Sequence, residues 1–315
     1  MASSTPKQRP FVHQGSVKVI ERENLTTIAF RHTDKFSVFD VGSHPQEIPR
    51  MGNAVFRCSM ASDRLLKAAG LQTAVVGQDD GDVILVHEVS TPKDRPLLPS
   101  ETNVMPRIEW LDRDYVAGSL GRDFRSGKKK PSDYGFADES VPPDGTRLPF
   151  PHHEATTKWE DVDRPMTNEE TLAYAGLTVF QWRQGWRVIN YANGILGIAA
   201  KAAGFRRLDG KKEMALVMVN GILMWMFIDA LGNPNEDRYA PSDTLRPGYI
   251  DHYSKEWLRQ LFIANGYKKV LDEARKAGQP DPDYPLLKDE DITEASRRYT
   301  LFADSYEAAV NRILG

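Results

Sequence analysis

The sequence predicts an α+β fold with two lobes. The first hundred residues contain several short β-rich segments around one helix, a pattern typical of a twisted, mostly antiparallel sheet. Residues 125–165 are rich in Pro, Gly, Lys, Asp and His, and the chain after them combines long helical periodicity with a hairpin pattern. We therefore expect a smaller N-terminal lobe over residues 1–104 and a larger α+β lobe over 105–315. A polar segment as long as 125–165 is typical of a lid, a binding segment or a disordered region, and we expect a lid.

The N-terminal elements follow from local patterns. β-Rich stretches bounded by turn signals predict strands at residues 17–21, 26–31, 37–41, 73–76 and 83–89. Apolar residues at helical spacing over 53–69 predict a helix that ends at Gly70.

The larger lobe begins with a strand that contains Ile108, Trp110 and Leu111. Helical periodicity predicts a long helix over 177–203, with Gly204 at its end, and two later helices. Two apolar runs flank Asn220-Gly221, a dipeptide that favours a two-residue hairpin turn. The predicted later elements are hairpin strands at 208–219 and 223–229 and helices at 255–264 and 292–313.

Composition excludes several classes of function. The formal net charge is −3 and the pI is about 6.2, so no basic field indicates nucleic acid as a partner. Cys58 is the one cysteine, which excludes an internal disulfide. The polar N-terminus and the short apolar runs predict neither a signal peptide nor a membrane span. We expect a cytoplasmic protein with small-molecule substrates, as a monomer or homodimer.

The first candidate site is the corner from Arg113 to Ser119. The strand ends in Ala117-Gly118-Ser119, where small residues let a ligand approach backbone N–H groups and a hydroxyl. Arg113 adds a planar donor suited to carboxylate or phosphate. An oxyanion site and an ordinary strand-to-helix turn with a solvated arginine explain this stretch equally well.

The second candidate site is acidic. Asp209, Lys211 and Glu213 alternate and so share one face of a strand, and the hairpin brings Glu213 close to Asp229. Two adjacent carboxylates repel unless a cation separates them, and Mg²⁺ carrying nucleotide phosphates meets that need. A salt bridge from Lys211 to one of the two acids is an equally good explanation.

Three further patterns carry weaker signals. Gly15 and Lys18 open the first hairpin and suit a turn that covers nucleotide phosphates. His152-His153-Glu154 lacks a spaced third metal ligand, so a loop contact is the better interpretation. Arg238, shortly after Asp229, offers a second anion-binding guanidinium.

Taken in order, these pieces resemble the SAICAR synthetase (phosphoribosylaminoimidazole-succinocarboxamide synthase) family from Gly15 to about Tyr306. The matching motifs are Gly15-Ser16-Val17-Lys18, Phe36-Ser37-Val38-Phe39-Asp40 with Ile48-Pro49, Arg113 with Ala117-Gly118-Ser119-Leu120, Thr156-Thr157-Lys158, Asp209-Gly210-Lys211-Lys212-Glu213, Ile228-Asp229, the segment from Pro234 to Arg238, Ser254-Lys255-Glu256 with Arg259, and Arg298-Tyr299.

The resemblance implies a two-lobed enzyme with ATP in the cleft between the lobes. The family phosphorylates the carboxylate of an aminoimidazole ribonucleotide (CAIR), and the amine of aspartate then attacks the acyl phosphate. By position, Gly15 and Lys18 would contact ATP, and Glu213 and Asp229 would hold Mg²⁺ and the nucleotide. Arg113 and Lys211 would be catalytic. The implied substrate-binding residues are Asp40, Arg113, Ser119, Lys211, Arg238, Lys255 and Arg259.

The chain departs from the family pattern at several positions. Ser16 replaces a usual lysine, Arg50-Met51-Gly52 replaces Gly-Lys-Gly, Ala230 replaces glutamate and Asn235 replaces aspartate. These changes leave three hypotheses: a SAICAR synthetase, a ligase of the same mechanism with another carboxylate or amine from a specialised nucleoside or phage nucleotide pathway, and a non-catalytic nucleotide-binding protein.

Overall fold

The computed structural model describes residues 8–15, 17–160 and 163–315. Its strands are β1 (Phe11–Gln14), β2 (Lys18–Arg22), β3 (Thr27–His32), β4 (Gln72–Thr73), β5 (Val75–Asp79), β6 (Val83–His87), β7 (Ile108–Tyr115), β8 (Arg147–Thr157), β9 (Pro165–Met166), β10 (Phe205–Lys212), β11 (Met214–Val219), β12 (Ile222–Phe227) and β13 (Asp237–Pro241). Its helices are α1 (Met51–Ala68), α2 (Ser119–Arg125), α3 (Asn168–Ala175), α4 (Val179–Ala202), α5 (Lys255–Ala264), α6 (Tyr267–Lys276) and α7 (Asp289–Leu314). This is the predicted α+β class.

The N-terminal sheet is antiparallel, with strand order β1-β2-β3-β6-β5. The strand predicted over residues 37–41 is wrong. Those residues form turns, in which Phe39 and Asp40 have positive φ angles of 59° and 58°. Two consecutive left-handed residues cannot continue a strand, although the local β propensity is high.

The central sheet has the order β13-β10-β7-β8-β9, with β7 between β10 and β8. The prediction of one long loop over 125–165 is therefore wrong in part, since β8 lies inside it and a short 3₁₀ helix spans Pro131–Tyr134. β8 has few apolar residues because most of its side chains face solvent or charged partners. That exposure hides the alternation by which a half-buried strand is recognised.

The predicted hairpin is confirmed, with one correction. β11 and β12 pair antiparallel from Met214 opposite Phe227 to Val219 opposite Ile222, and Asn220 and Gly221 both have positive φ angles, as a type I′ turn requires. The strand predicted over 208–219 is broken at Glu213, because β10 pairs with β7 and β13 in the central sheet whereas β11 pairs with β12. Glu213 thus lies where the chain passes between two sheets.

Two apolar cores support these sheets. In one, α1 packs against α7 and the buried residues of α5. In the other, Trp110 of β7 lies against Trp182 of α4 with ring centroids 4.7 Å apart. The helix predicted over 177–203 corresponds to α4, which begins with a capping box from Thr178 to Gln181. Helices α3 and α6, which the sequence interpretation missed, are short and largely polar.

No helix in the described part of the chain is long and apolar enough to span a bilayer. Cys58 is fully buried in α1, and burial raises the pKa of its thiol far above the ordinary value. This agrees with the prediction that Cys58 is not an activated nucleophile.

Candidate active site

One pocket of about 320 Å³ collects the predicted substrate-binding residues. It lies where β7, β10, the segment that leads into β13 and the start of α5 meet. Its lining includes Asp40, Arg113, Ser119, Lys211, Arg238, Lys255 and Arg259, the full predicted set. Residues from position 40 to position 259 therefore converge on one cavity, although whether each binds substrate stays a prediction.

Arg113 is held in place from two sides. It lies opposite Asp209 in the β7–β10 register, and its side chain is 4% exposed. Its Nη2 donates to Glu154 Oε2 at 3.1 Å and to Ser119 Oγ at 3.2 Å, and its Nη1 lies 3.5 Å from Asp209 Oδ2. Burial opposes the charge, but Glu154 and Asp209 outweigh it and keep the pKa of Arg113 above its usual value. The guanidinium group of Arg113 is thus fixed beside the Ser119 hydroxyl.

Arg238 forms the second guanidinium of the pocket. Its Nη1 donates to Asp209 Oδ2 at 2.7 Å, and its Nε donates to Glu256 Oε2 at 3.0 Å. Glu256 also accepts from Arg259 Nη1 at 3.2 Å. Gly118 permits this packing, because a Cβ at that position would overlap the Arg238 guanidinium. Both arginines contact Asp209 Oδ2, whereas Asp209 Oδ1 is buried without a hydrogen-bond partner in the described structure.

The predicted acidic pair is present, and each acid is paired with a lysine. Lys158 Nζ donates to Glu213 Oε1 at 2.6 Å, and Lys18 Nζ donates to Asp229 Oδ1 at 2.5 Å. Glu213 and Asp229 line one small cavity, and the Glu213 carbonyl accepts from the N–H of Ile228. The alternative in which Lys211 pairs with one of these acids is wrong, because the paired lysines are Lys18 and Lys158.

The pKa values of the two acids shift in opposite directions, although burial raises both. Burial raises the pKa of Glu213, and the neighbouring Asp229 and Glu109 add to this effect against the attraction of Lys158. Burial also disfavours charge on Asp229, but Lys18 and the N–H of Ala230 outweigh it and lower the pKa of Asp229 to about 2. The charge of Asp229 therefore disfavours ionisation of Glu213, as is expected for two carboxylates close enough to bind one cation.

Glu109 links the acidic pair to the main pocket. Its Oε1 accepts from Lys158 Nζ at 3.0 Å and from Lys211 Nζ at 3.1 Å. Lys211 Nζ also lies 3.6 Å from Glu236 Oε2. Charges of opposite sign thus alternate from Glu213 through Lys158, Glu109 and Lys211 to Glu236.

An apolar slot lies on the other side of Asp229. Strands β3, β5 and β6 supply Phe30, Val75, Ile84 and Val86, and α1 and the segment after β12 complete the walls. Asp229 lines both this slot and the acidic cavity, and Lys211 lines both the acidic cavity and the main pocket. The three spaces therefore adjoin one another through shared residues.

Lys255 begins α5 and lines the main pocket. Burial and the charge of Arg259 lower the pKa of its ammonium to about 8, against the attraction of Glu236. A lysine with such a pKa changes charge in a range that an enzyme uses, which is frequent at functional sites.

Glu154 is a site residue that the sequence interpretation missed. The loop contact expected for His152-His153-Glu154 is wrong, since all three residues belong to β8. Glu154 accepts from Arg113 and, on its other oxygen, from Lys129 and the Tyr134 hydroxyl. The register of β8 against β7 creates these contacts, so only knowledge of the strand pairing could have identified them.

The departures from the family pattern have different surroundings. Met51 is buried in the apolar core, and the Arg50 side chain is exposed. Asn235 lines the main pocket and accepts from the Tyr299 hydroxyl at 2.7 Å. Ala230 lines the apolar slot. Ser16 lies outside the described residues, whereas Gly15 forms the β1–β2 turn and donates its N–H to the Lys18 carbonyl at 2.9 Å.

Comparison with protein families gives one match over most of the chain. The SAICAR synthetase family model matches residues 11–274. The phosphoribosylaminoimidazole-succinocarboxamide synthase of Thermoplasma volcanium is 32% identical over 275 residues, which cover 87% of this chain and 91% of that protein. The enzyme of the same name from Thermoplasma acidophilum is 30% identical over 304 residues, covering 96% of this chain and 98% of that protein.

Solved structures show the same fold. SAICAR synthase from Saccharomyces cerevisiae, complexed with SAICAR, has a TM-score of 0.72 at 17% identity and covers 97% of this chain and 98% of that chain. A SAICAR synthetase in complex with ADP has a TM-score of 0.61 at 19% identity, covering 86% of this chain and 99% of that chain.

Proposed function

The chain belongs to the SAICAR synthetase family, and on that premise we propose how its three adjoining spaces divide the work of an ATP-dependent carbon–nitrogen ligase. The reaction joins the carboxylate of CAIR to the amine of aspartate. The γ-phosphoryl group of ATP passes to the carboxylate, which gives an acyl phosphate and ADP. The amine then attacks the acyl carbon, phosphate leaves, and an amide remains.

The observation that carries this proposal is that the three spaces are neighbours: Asp229 lines both the apolar slot and the acidic cavity, and Lys211 lines both the acidic cavity and the main pocket. The apolar lining of the slot suits a flat, weakly polar base such as adenine, and the acidic cavity beside it is where the phosphates of a bound ATP would extend. Each of these two spaces has a volume of about 10 Å³ in this structure, so both would have to widen when the nucleotide binds. The main pocket, with its fixed guanidinium groups, suits an anionic ribonucleotide. The γ-phosphate of ATP would thus lie between the base slot and the carboxylate of CAIR, to which it is transferred.

Glu213 and Asp229 fit a magnesium site. Both present hard oxygen donors in one cavity. Within the described residues no third His, Cys, Asp or Glu side chain joins them to form a metal-binding group, so a cation there would take its other ligands from the substrate or from water. Two carboxylates plus substrate phosphates are a usual ligand set for Mg²⁺. When bound, Mg²⁺ would neutralise phosphate charge during transfer. Lys18, now on Asp229, and Lys158, now on Glu213, would then be available to the phosphates.

We assign the cations of the main pocket to the ribonucleotide. Arg113, Ser119 and Arg238 would bind its phosphate or carboxylate, and Lys211 would stabilise the negative charge that develops on the carboxylate oxygens. Lys255, Arg259 and Asp40 would complete the binding site. Because carboxylate partners already fix Arg113 and Arg238, little reorganisation is needed when charge builds up in the transition state.

The two lobes predicted at 1–104 and 105–315 fit this division. Residues 1–104 supply seven of the ten lining residues of the base slot, and the chain after them supplies all the lining of the main pocket except Asp40. We propose that residues 126–146 help to shield the acyl phosphate from water. Lys129 and Tyr134 connect this segment to Glu154 and so to Arg113.

An assay of ADP release by the purified protein tests the function. The reactants are ATP, CAIR and each member of a panel of amino acids. Turnover that depends on aspartate supports the proposal. Turnover with another carboxylate or amine but not with CAIR and aspartate would indicate the same-mechanism ligase that Ala230 and Asn235 motivate. ATP binding without turnover would indicate a nucleotide-binding protein.

A further inference from the structure

A second cleft, of about 400 Å³, lies on the face of the central sheet opposite the main pocket. Successive side chains of a strand point to opposite faces, so Arg113 faces the main pocket whereas Asp114 lines the cleft. Helix α4 and the ends of β7, β8 and β10 form its walls. The reaction proposed above uses none of the residues of this cleft.

The cleft carries an excess of positive charge. Arg147, Lys201 and Arg206 line it, and within the described parts of the chain none of the three has an ion pair or a side-chain hydrogen bond. Arg207 also lines the cleft, but Asp112 and Asp237 neutralise its charge. The described lining contains one acid, Asp114. Arg147 is near enough to Asp114 to favour its ionised form without a direct ion pair, so the excess of charge comes from three cations that face one acid on a small concave surface.

Helix α4 presents a face suited to a polar ligand. Asn190, Asn193, Gly194, Gly197 and Lys201 recur at helical spacing and all line the cleft. A Cβ at Gly194 or Gly197 would have no atom within 4 Å, so the space above the helix is open. Asn193 Oδ1 is buried without a partner in the described structure. A half-turn of that amide would present an N–H donor at the same position.

We propose that this cleft binds the phosphate group of a small anion, either free phosphate or a phosphorylated metabolite. Guanidinium groups match phosphate geometry, and an ammonium and amide N–H groups complete its hydrogen bonds. Tyr115, Pro151 and Ile198 border the same cleft and offer apolar contact to whatever the phosphate is attached to. The site is separate from the main pocket, so its occupancy does not depend on the proposed reaction.

Equilibrium dialysis of the full chain with radiolabelled inorganic phosphate tests the site. Gly197→Leu fills the open space without changing charge, and Lys201→Ala with Arg206→Ala removes two cations. Both variants should weaken one class of phosphate site at least about tenfold. The matched control, Arg183→Ala with Arg187→Ala, removes two exposed arginines of the same helix that do not line the cleft, and should bind as the wild type does.

The main pocket serves as an internal reference, because saturating CAIR should displace phosphate from that pocket and leave phosphate in the cleft. Asp114→Asn removes the one acid of the described lining and should tighten binding in the cleft about threefold or more. Phosphate binding that CAIR abolishes entirely, or isotherms of both cleft variants that coincide with that of the wild type, would overturn the proposal.

Competition experiments identify the source of the phosphate. AMP serves as a phosphomonoester probe, with adenosine as its phosphate-free control. Displacement of labelled phosphate by AMP at a concentration about tenfold lower than that of unlabelled phosphate would indicate a phosphorylated metabolite, and equal potency would indicate free phosphate. Adenosine that competes as well as AMP would contradict a phosphate site.

Discussion

Lys18 and Asp229 join the N-terminal sheet to the segment that follows β12, with Nζ and Oδ1 2.5 Å apart. The two residues are 211 positions apart in the chain, and each side chain is about one-fifth exposed. The ion pair therefore spans the cleft in which we place ATP. The ion pair gives Asp229 a cationic partner in this structure, and under the proposed function Mg²⁺ with the nucleotide would take the place of Lys18 at that carboxylate.

Replacement of Lys18 by methionine should make the acid dependence of stability weaker. The pKa of Asp229 is lowered to about 2, so the ion pair stabilises the fold above the unfolded pKa of about 4 and loses this effect as the pH falls through about 2. We expect Lys18→Met to reduce the free energy of unfolding by about 1–2 kcal/mol at pH 7. Urea denaturation at pH 7, 4 and 2.5 measures this difference.

Arg22→Met provides the control for that experiment. Arg22 lies on the same strand and pairs with Glu88, but both side chains are about one-third exposed. The stability lost in the control should be smaller than in Lys18→Met. A loss in Lys18→Met that is the same at pH 7 and pH 2.5 would show that the methionine acts through packing rather than charge.

Glu213→Ala should lower the rate of ADP release about 100-fold to 1,000-fold, because it removes one of two proposed metal ligands at the point of phosphoryl transfer. The magnesium concentration needed for half-maximal activity should rise as well. A titration of activity with MgCl₂ measures both effects. Glu101→Gln, which changes an acid paired with Arg95 away from the three adjoining spaces, is the control. Near-normal activity of Glu213→Ala would remove Glu213 from the site.

Arg113→Ala should raise the KM for CAIR about 100-fold and change the KM for ATP about threefold or less. The variant also leaves Glu154 and Asp209 without a shared cation, so the free energy of unfolding should fall by about 3 kcal/mol. Arg113→Lys keeps a positive charge there and separates the two effects, since it should fold well and still bind CAIR poorly. Equal changes in both KM values would indicate a structural role.

Much of this site follows from local sequence. The alternation of Asp209 and Lys211 places both on the strand face that lines the main pocket, and the Asn220-Gly221 turn brings Glu213, just after the end of β10, beside the segment that contains Asp229. Both inferences need only the period of a strand and the geometry of a two-residue turn. The fold class is predictable for the same reason.

The partners of these residues do not follow from local sequence. Lys158 and Glu154 reach the site through the pairing of β8 with β7, and the register of two distant strands is not encoded in either strand alone. β8 was also concealed by its polar composition. The strand predicted at 37–41 fails for the opposite reason, because tertiary packing around Phe36 and Val38 overrides a favourable local propensity.

The KM for CAIR should rise as the pH increases through about 8. Burial and Arg259 lower the pKa of Lys255 to about 8, so this ammonium is charged below that pH and neutral above it. An anionic substrate binds the charged form better, and a phosphomonoester is already fully ionised at pH 8 because its second pKa is about 6. The change in KM therefore reports the protein rather than the substrate. Steady-state kinetics at pH values from 6.5 to 9.5 would measure it.

The variants Lys255→Arg and Lys255→Met test whether the charge of this side chain, rather than its shape, sets the KM for CAIR. Arginine keeps its charge throughout this range, so Lys255→Arg should give a KM that no longer rises near pH 8. Lys255→Met should give a high KM at every pH, since it resembles the neutral lysine. Lys269→Arg, at an exposed position of α6, is the control and should behave as the wild type does. If the rise near pH 8 persists in Lys255→Arg, then another group titrates and Lys255 does not supply the charge that binds CAIR.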